Sequence, residues 1–164
     1  MNSLILTLAL HYSFCNDLYL DLVNTEPSEE NLAVCSLLLE DAIKLNASIE
    51  DILAIGWVES WFTGQLKPTR YNCFGPLQIK IQYWCKGKKL STCDPYHDGV
   101  KALQYYMKKF KPLNKAFCYY NNSKKRKCKA KYNYKTDYVV DALSAKKKIR
   151  KLLNSKKYQH IKNQ

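Results

Sequence analysis

The stretch SIEDILAIGWVESWF, residues 48–62, decides how this chain is read. Ser48 can cap free backbone N–H groups, and Glu50 and Asp51 suit the positive end of a helix dipole. The pattern predicts a helix from there to about Phe62, with Gly64 and Pro68 as stop signals. At helical periodicity Ile52, Ile55, Glu59 and Phe62 fall on one face. Glu59 therefore leans out from the apolar side, while Glu50 lies on the solvated one. A carboxylate in that position either pairs with one of the chain's many lysines or is kept neutral by its surroundings. Desolvation disfavours the charged form and raises the pKa, a device that catalytic acids use.

A chain of 164 residues with 46% hydrophobic content fits one domain with its own core and is not a disordered chain. The net charge of +13 is unevenly divided. Residues 1–63 carry one lysine against ten acids, whereas residues 64–164 carry 26 Lys and Arg against four. A basic surface of that size attracts polyanions: nucleic acid, anionic lipid or anionic cell-wall polymer. Charge alone does not choose among them. The Lys/Arg runs at 123–131 and 146–151 keep open a basic binding module for nucleic acid or another polyanion, although no recognised nucleic-acid motif is present.

The seven cysteines include no CxxC, and none of His11, His97 and His160 stands at zinc-like spacing from a cysteine. We expect neither a metal nor a cofactor. Cys85 with Cys93, and Cys118 with Cys128, could each close a short loop. Removal of about the first fifteen residues, Cys15 included, would leave an even six, in keeping with an oxidising compartment. A fully reduced set remains an equal alternative. MNSLILTLAL, residues 1–10, reads either as the apolar part of a signal or as an apolar helix or strand packed on the domain. It lacks a basic n-region and is too short to span a membrane. The division is thus residues 1–26, an N-terminal segment, and residues 27–164, the domain proper.

Outward from Glu59, Leu32 to Ile43 is helical in pattern and ends at Asn46. Residues 63–74 read as a loop, Gly75-Pro76 as a break, and Leu77 to about Trp84 as a helix. Residues 85–95 form a basic loop. Asp94 is placed to cap a helix with Pro95 at its first position. Shorter and longer helices follow at 113–122 and 136–153, with a lysine-rich loop at 123–131 between them. Strand patterns are nearly absent, so the fold class is mostly α.

Sixteen residues after Glu59 comes Gly75-Pro76-Leu77-Gln78-Ile79. Together with Val58-Glu59-Ser60, it resembles the lysozyme-like lytic transglycosylases of the soluble-lytic-transglycosylase type, in the variant form of phage and secretion-system muramidases. Further segments follow in the family's order. They are Trp84, Asp94-Pro95 through Gly99 to Leu103, Tyr119-Tyr120-Asn121-Asn122, and Thr136-Asp137-Tyr138-Val139. The similarity covers roughly residues 30–153. The chain departs from the pattern at Ser123, where the family has Gly, at Lys135, where it has Glu, and in the shorter spacing before Tyr138.

This resemblance implies a lysozyme-like single domain of about six to eight helices with little or no sheet. It implies a peptidoglycan-cleaving enzyme that acts on glycan strands as a monomer, outside the cytoplasm or on a virion, without specific nucleic acid. Glu59 would be the catalytic acid and base, cutting between N-acetylmuramic acid and N-acetylglucosamine to leave a 1,6-anhydro sugar. Ser60, Gly75, Gln78, Tyr120, Asn121 and Tyr138 would bind substrate or orient Glu59. Attraction to anionic wall polymers would follow from the basic half. Glycosidases usually employ two carboxylates. No acid lies between Glu59 and Asp94, and Asp94 and Asp98 both read as helix-start residues. A single-acid mechanism therefore fits better, with a goose-type lysozyme-like hydrolase as the alternative. Trp57 and Trp61, off the Glu59 face, are expected in the core. Trp84 is open between core and sugar platform.

Overall fold

The computed structural model describes residues 3–87, 89–121, 128, 134 and 136–162, without the side chains of 3–6. The chain is mostly α, with eight helices and one small hairpin among the described residues. The helices are α1 (Ser3–Val23), α2 (Glu29–Lys44), α3 (Ile49–Ser60), α4 (Ile81–Trp84), α5 (His97–Lys109), α6 (Leu113–Asn121), α7 (Asp137–Leu153) and α8 (Gln159–Lys162). The two strands β1 (Cys73–Phe74) and β2 (Ile79–Lys80) pair antiparallel, Cys73 opposite Lys80 and Phe74 opposite Ile79. None of the described helices is long and apolar enough to cross a membrane.

Helix α3 is the centre of the molecule, because its sequence is apolar on nearly every side. Ile52, Leu53, Ala54 and Ile55 are all fully buried. Ser48 caps it, accepting the Asp51 N–H. Helix α2 crosses it closely at Gly56, where an added Cβ would press on Leu38 Cδ1 at 2.7 Å. Helix α7 lies along its other side, antiparallel to it. Lys146 meets Asp51 at one end of the pair and Tyr138 meets Glu59 at the other.

The end of α3 departs from the expected course. The helix stops at Ser60, and Trp61 and Phe62 both take left-handed backbone, with φ of 56° and 58°. This double turn drives Phe62 fully inside and leaves Trp61 55% exposed, so Trp61 is not a core residue. Trp57 is half-buried beneath it, with ring centroids 4.8 Å apart. The carbonyls freed by the turn are met by the start of α2. Asn31 completes a capping box with Ser28, and its Nδ2 donates to the carbonyls of Trp61 and Phe62. Glu30 accepts the Gly64 N–H. The sequence that begins α2 thus also fixes the chain just beyond Glu59.

Helix α1 packs Phe14, Cys15 and Leu18 into the common core, and Cys15 is bonded to Cys35 of α2. The six-cysteine set that omits Cys15 is therefore not the one that forms. Cys85–Cys93 and Cys118–Cys128 close their short loops, and Cys73 is the free thiol. Helix α5 begins at His97, with Tyr96 as its N-cap and not Pro95 at its first position, and Asp94 Oδ1 accepts the N–H groups of Tyr96 and His97 just before it. Leu77 to Lys80 is not helical: the chain turns at Gln78, with φ 49°, and enters β2 before α4 begins. The lysine-rich run 123–131, Cys128 apart, lies outside the described residues, as do Asn122 and Lys135.

Candidate active site

A cleft of about 770 Å³ opens between α3, the β-hairpin and the end of α6. Glu59, Thr69, Arg70, Tyr71, Cys73, Gln78, Lys80, Tyr120 and Asn121 line it. A smaller hollow of about 110 Å³ shares Gln78, Lys80, Tyr120 and Asn121 and adds Trp84 and Tyr83. Among the described residues Glu59 is the only carboxylate lining either. It sits there at the end of α3, with Tyr138 of α7 bonded to it.

The Tyr138 hydroxyl donates to Glu59 Oε1 at 2.7 Å. Burial nevertheless dominates and pushes the Glu59 carboxyl up to about 7, with the Tyr138 hydrogen bond acting against the rise. Near neutral pH the group is thus divided between acid and base, the condition for general acid–base work. Burial, and then the nearby Glu59 charge, raise the phenols of Tyr138 and Tyr120, which therefore stay protonated and serve as donors. Tyr120 donates to the Leu77 carbonyl at 2.6 Å and braces the turn that carries Gln78. Gln78 in turn donates to the Gly75 carbonyl at 2.9 Å.

No family model, curated protein or solved structure matches this chain.

Four of the residues expected at the site, Glu59, Gln78, Tyr120 and Asn121, share the cleft wall, and Tyr138 touches Glu59. Ser60 does not join them. It is buried and donates to the Gly56 carbonyl at 3.0 Å, one turn back in its own helix, because it points away from the face that carries Glu59. Gly75 is also buried and not part of the lining. Its glycine requirement comes from Pro95, which a Cβ would overlap, and from its φ of 75°. It holds the turn. Gly75→Ala is expected to destabilise the fold by roughly 2–5 kcal/mol, from left-handed strain plus overpacking. Urea unfolding would measure it.

Trp84 is half-buried, edge-on to Tyr105 at 5.6 Å, with one side toward the smaller hollow. Thr69, Arg70, Tyr71, Cys73 and Lys80 were not legible as site residues. Their segment carries no period in the sequence, since the irregular run 69–73 is organised locally. Thr69 Oγ1 accepts the N–H groups of Tyr71 and Cys73. Lys80 falls in the stretch expected to be helical. The break at Gly75-Pro76 with Ile79 and Ile81 alternating about Lys80 is the signal that could have revealed a strand.

Proposed function

We propose that this protein cleaves the glycan strands of peptidoglycan as a lytic transglycosylase. The observation that carries the reading is Glu59: a single carboxyl at the wall of a large cleft, titrating near neutrality and held by a tyrosine. As an acid, Glu59 gives its proton to the oxygen joining N-acetylmuramic acid to N-acetylglucosamine, and the C1–O bond breaks. The substrate's own acetamido oxygen supports the electron-poor C1. Glu59, now a carboxylate, takes the proton of the muramyl 6-hydroxyl, whose oxygen bonds to C1. The product is a 1,6-anhydro sugar, and Glu59 ends protonated as it began. No second carboxylate is required, which agrees with the single acid among the described lining residues. The three disulfides are compatible with an oxidising, extracytoplasmic setting or a virion.

Digestion of purified peptidoglycan, with reducing ends read by mass spectrometry, tests this directly. Anhydro ends support the transglycosylase. Hydrated ends would transfer the same cleft to a goose-type lysozyme-like hydrolase. Release of nothing by the folded protein would leave the basic surface as a polyanion-binding module.

Tyr138→Phe gives a second check. The Tyr138 hydroxyl favours the ionised form of Glu59, so its loss raises the Glu59 pKa further. The alkaline limb of the pH–rate profile is expected to move to higher pH. A hydrogen bond to a charged group is worth about 1.5–3 kcal/mol, so kcat falls by roughly 10- to 100-fold. An unchanged profile would remove Tyr138 from the mechanism.

A further inference from the structure

Apart from Glu59, the only charged side chains among the described residues lining the cleft are cationic: Arg70 and Lys80. They lie on the wall formed by the hairpin and the loop before it, tied together through Tyr71. The Arg70 guanidinium sits over the Tyr71 ring, 4.7 Å from its centroid. Lys80 Nζ donates to the Tyr71 carbonyl at 3.2 Å. Among the described residues no carboxylate forms an ion pair with either cation. Glu59 is bonded to Tyr138 and forms no ion pair with either of them. Lys146 and Lys157, in contrast, pair with Asp51 and Asp17. Two unpaired cations fixed on one wall of a cleft, and pre-organised by the same tyrosine, form a receptor for an anion that arrives with the ligand.

We infer that Arg70 and Lys80 select glycan strands that carry carboxylates, holding the free carboxylates of the peptide arms while Glu59 faces the glycosidic oxygen. The inference rests on the glycan-cleaving reading of the cleft. It adds a charge requirement that a neutral polymer of the same sugars would not meet. Arg70, being exposed, suits a carboxylate on the flexible arm, and half-buried Lys80 suits one nearer the sugar.

The test uses peptidoglycan before and after its carboxylates are converted to amides, which leaves the glycan unchanged. The wild-type protein is expected to cleave the untreated polymer at least about tenfold faster, the scale of one lost charge-assisted contact. Arg70→Gln with Lys80→Gln is expected to bring that ratio close to one. Lys147→Gln with Lys151→Gln, on the exposed face of α7, removes the same charge outside the cleft and should leave the ratio unchanged. Equal rates on both polymers by the wild type would overturn the inference while the cleavage reading stands. A ratio lost equally in the α7 variant would also overturn it, assigning the effect to net charge. Co-sedimentation of the Glu59→Gln protein with each polymer separates the remaining case. If the wild type cleaves neither polymer, cleft-dependent binding to the untreated one alone keeps the charge receptor and rejects the enzyme. Equal binding to both rejects the receptor as well.

Discussion

Glu59→Gln is expected to abolish glycan cleavage and, at the same time, to make the folded protein more stable above neutral pH. The two effects share one cause. Burial raises the Glu59 carboxyl from its ordinary 4.5 to about 7 in the folded state. The unfolded chain therefore releases this proton earlier than the native one as pH rises. Between those two values the native state holds more protons, so this group costs stability with increasing pH. Its contribution is undiminished below 4.5 and is lost by about 7. A neutral glutamine has no such term and keeps an oxygen that can accept from Tyr138. The variant should match the wild type near pH 4 and exceed it at pH 8, by at most about 3 kcal/mol. Urea titrations at the two pH values measure the difference. Loss of the acid itself removes about 10²–10⁴ in rate by general acid–base catalysis alone. A glutamine variant less stable at pH 8 would mean that Glu59 is a structural ion rather than a strained functional acid.

Lys146→Met is expected to destabilise the fold by about 3–5 kcal/mol, because it leaves the Asp51 carboxylate buried without its partner. The Asp51 side chain is 4% exposed and Lys146 14%, and the two lie 2.5 Å apart. Asp51→Asn combined with Lys146→Met should recover most of the loss, since no uncompensated ion remains. The neighbouring pair acts as an internal control. Arg150 bonds Glu50 but is 55% exposed, so Arg150→Ala should cost about 1 kcal/mol or less. Denaturant midpoints of the four proteins measure all three differences. The buried pair also has a positional consequence. Asp51 and Glu59 are eight residues apart on α3, and Lys146 and Tyr138 are eight apart on antiparallel α7. At the helical rise that is roughly 12 Å on each helix. A slip of one helix along the other would break the ion pair and withdraw Tyr138 from Glu59 together. The pair therefore locks the register in which the acid is held.

The cleft joins two kinds of element. Glu59 and Tyr138 stand on helices whose positions are over-determined by burial, capping and the ion pair. Arg70, Tyr71 and Lys80 stand on a two-residue-per-strand hairpin and its loop, held by Thr69 and by the turn at Gly75. Under the proposed function, the chemistry would stand on rigid helices and the ligand contacts on a loop, the usual division of labour in a site.

Much of this was open to reading from residues alone because it depends on local rules. Ser48, Asn46, Asp94 and Thr136 mark helix ends through hydrogen bonds that reach only a few residues along the chain. The apolar periodicity of residues 49–62 predicted a helix with an apolar face and placed Glu59 on that face, where it could be either an ion paired with lysine or a neutral acid. The mostly α class followed from the same periodicities. Tertiary structure alone decided the rest. Trp61 is outside and Phe62 inside because two consecutive left-handed residues end α3, and those are stabilised by Asn31, thirty residues earlier. Gly75 turned toward Pro95 for packing reasons that no spacing encodes. Cys15 found Cys35 only because α1 lies on α2. Lys80 came to the same cleft as Glu59 and Arg70 because the chain folds back on itself after Gly75 and pairs β2 with β1. Periodicity and capping are written in consecutive residues. Which side chains face each other across a cleft depends on contacts between segments far apart in the chain, and these form only when the helices pack.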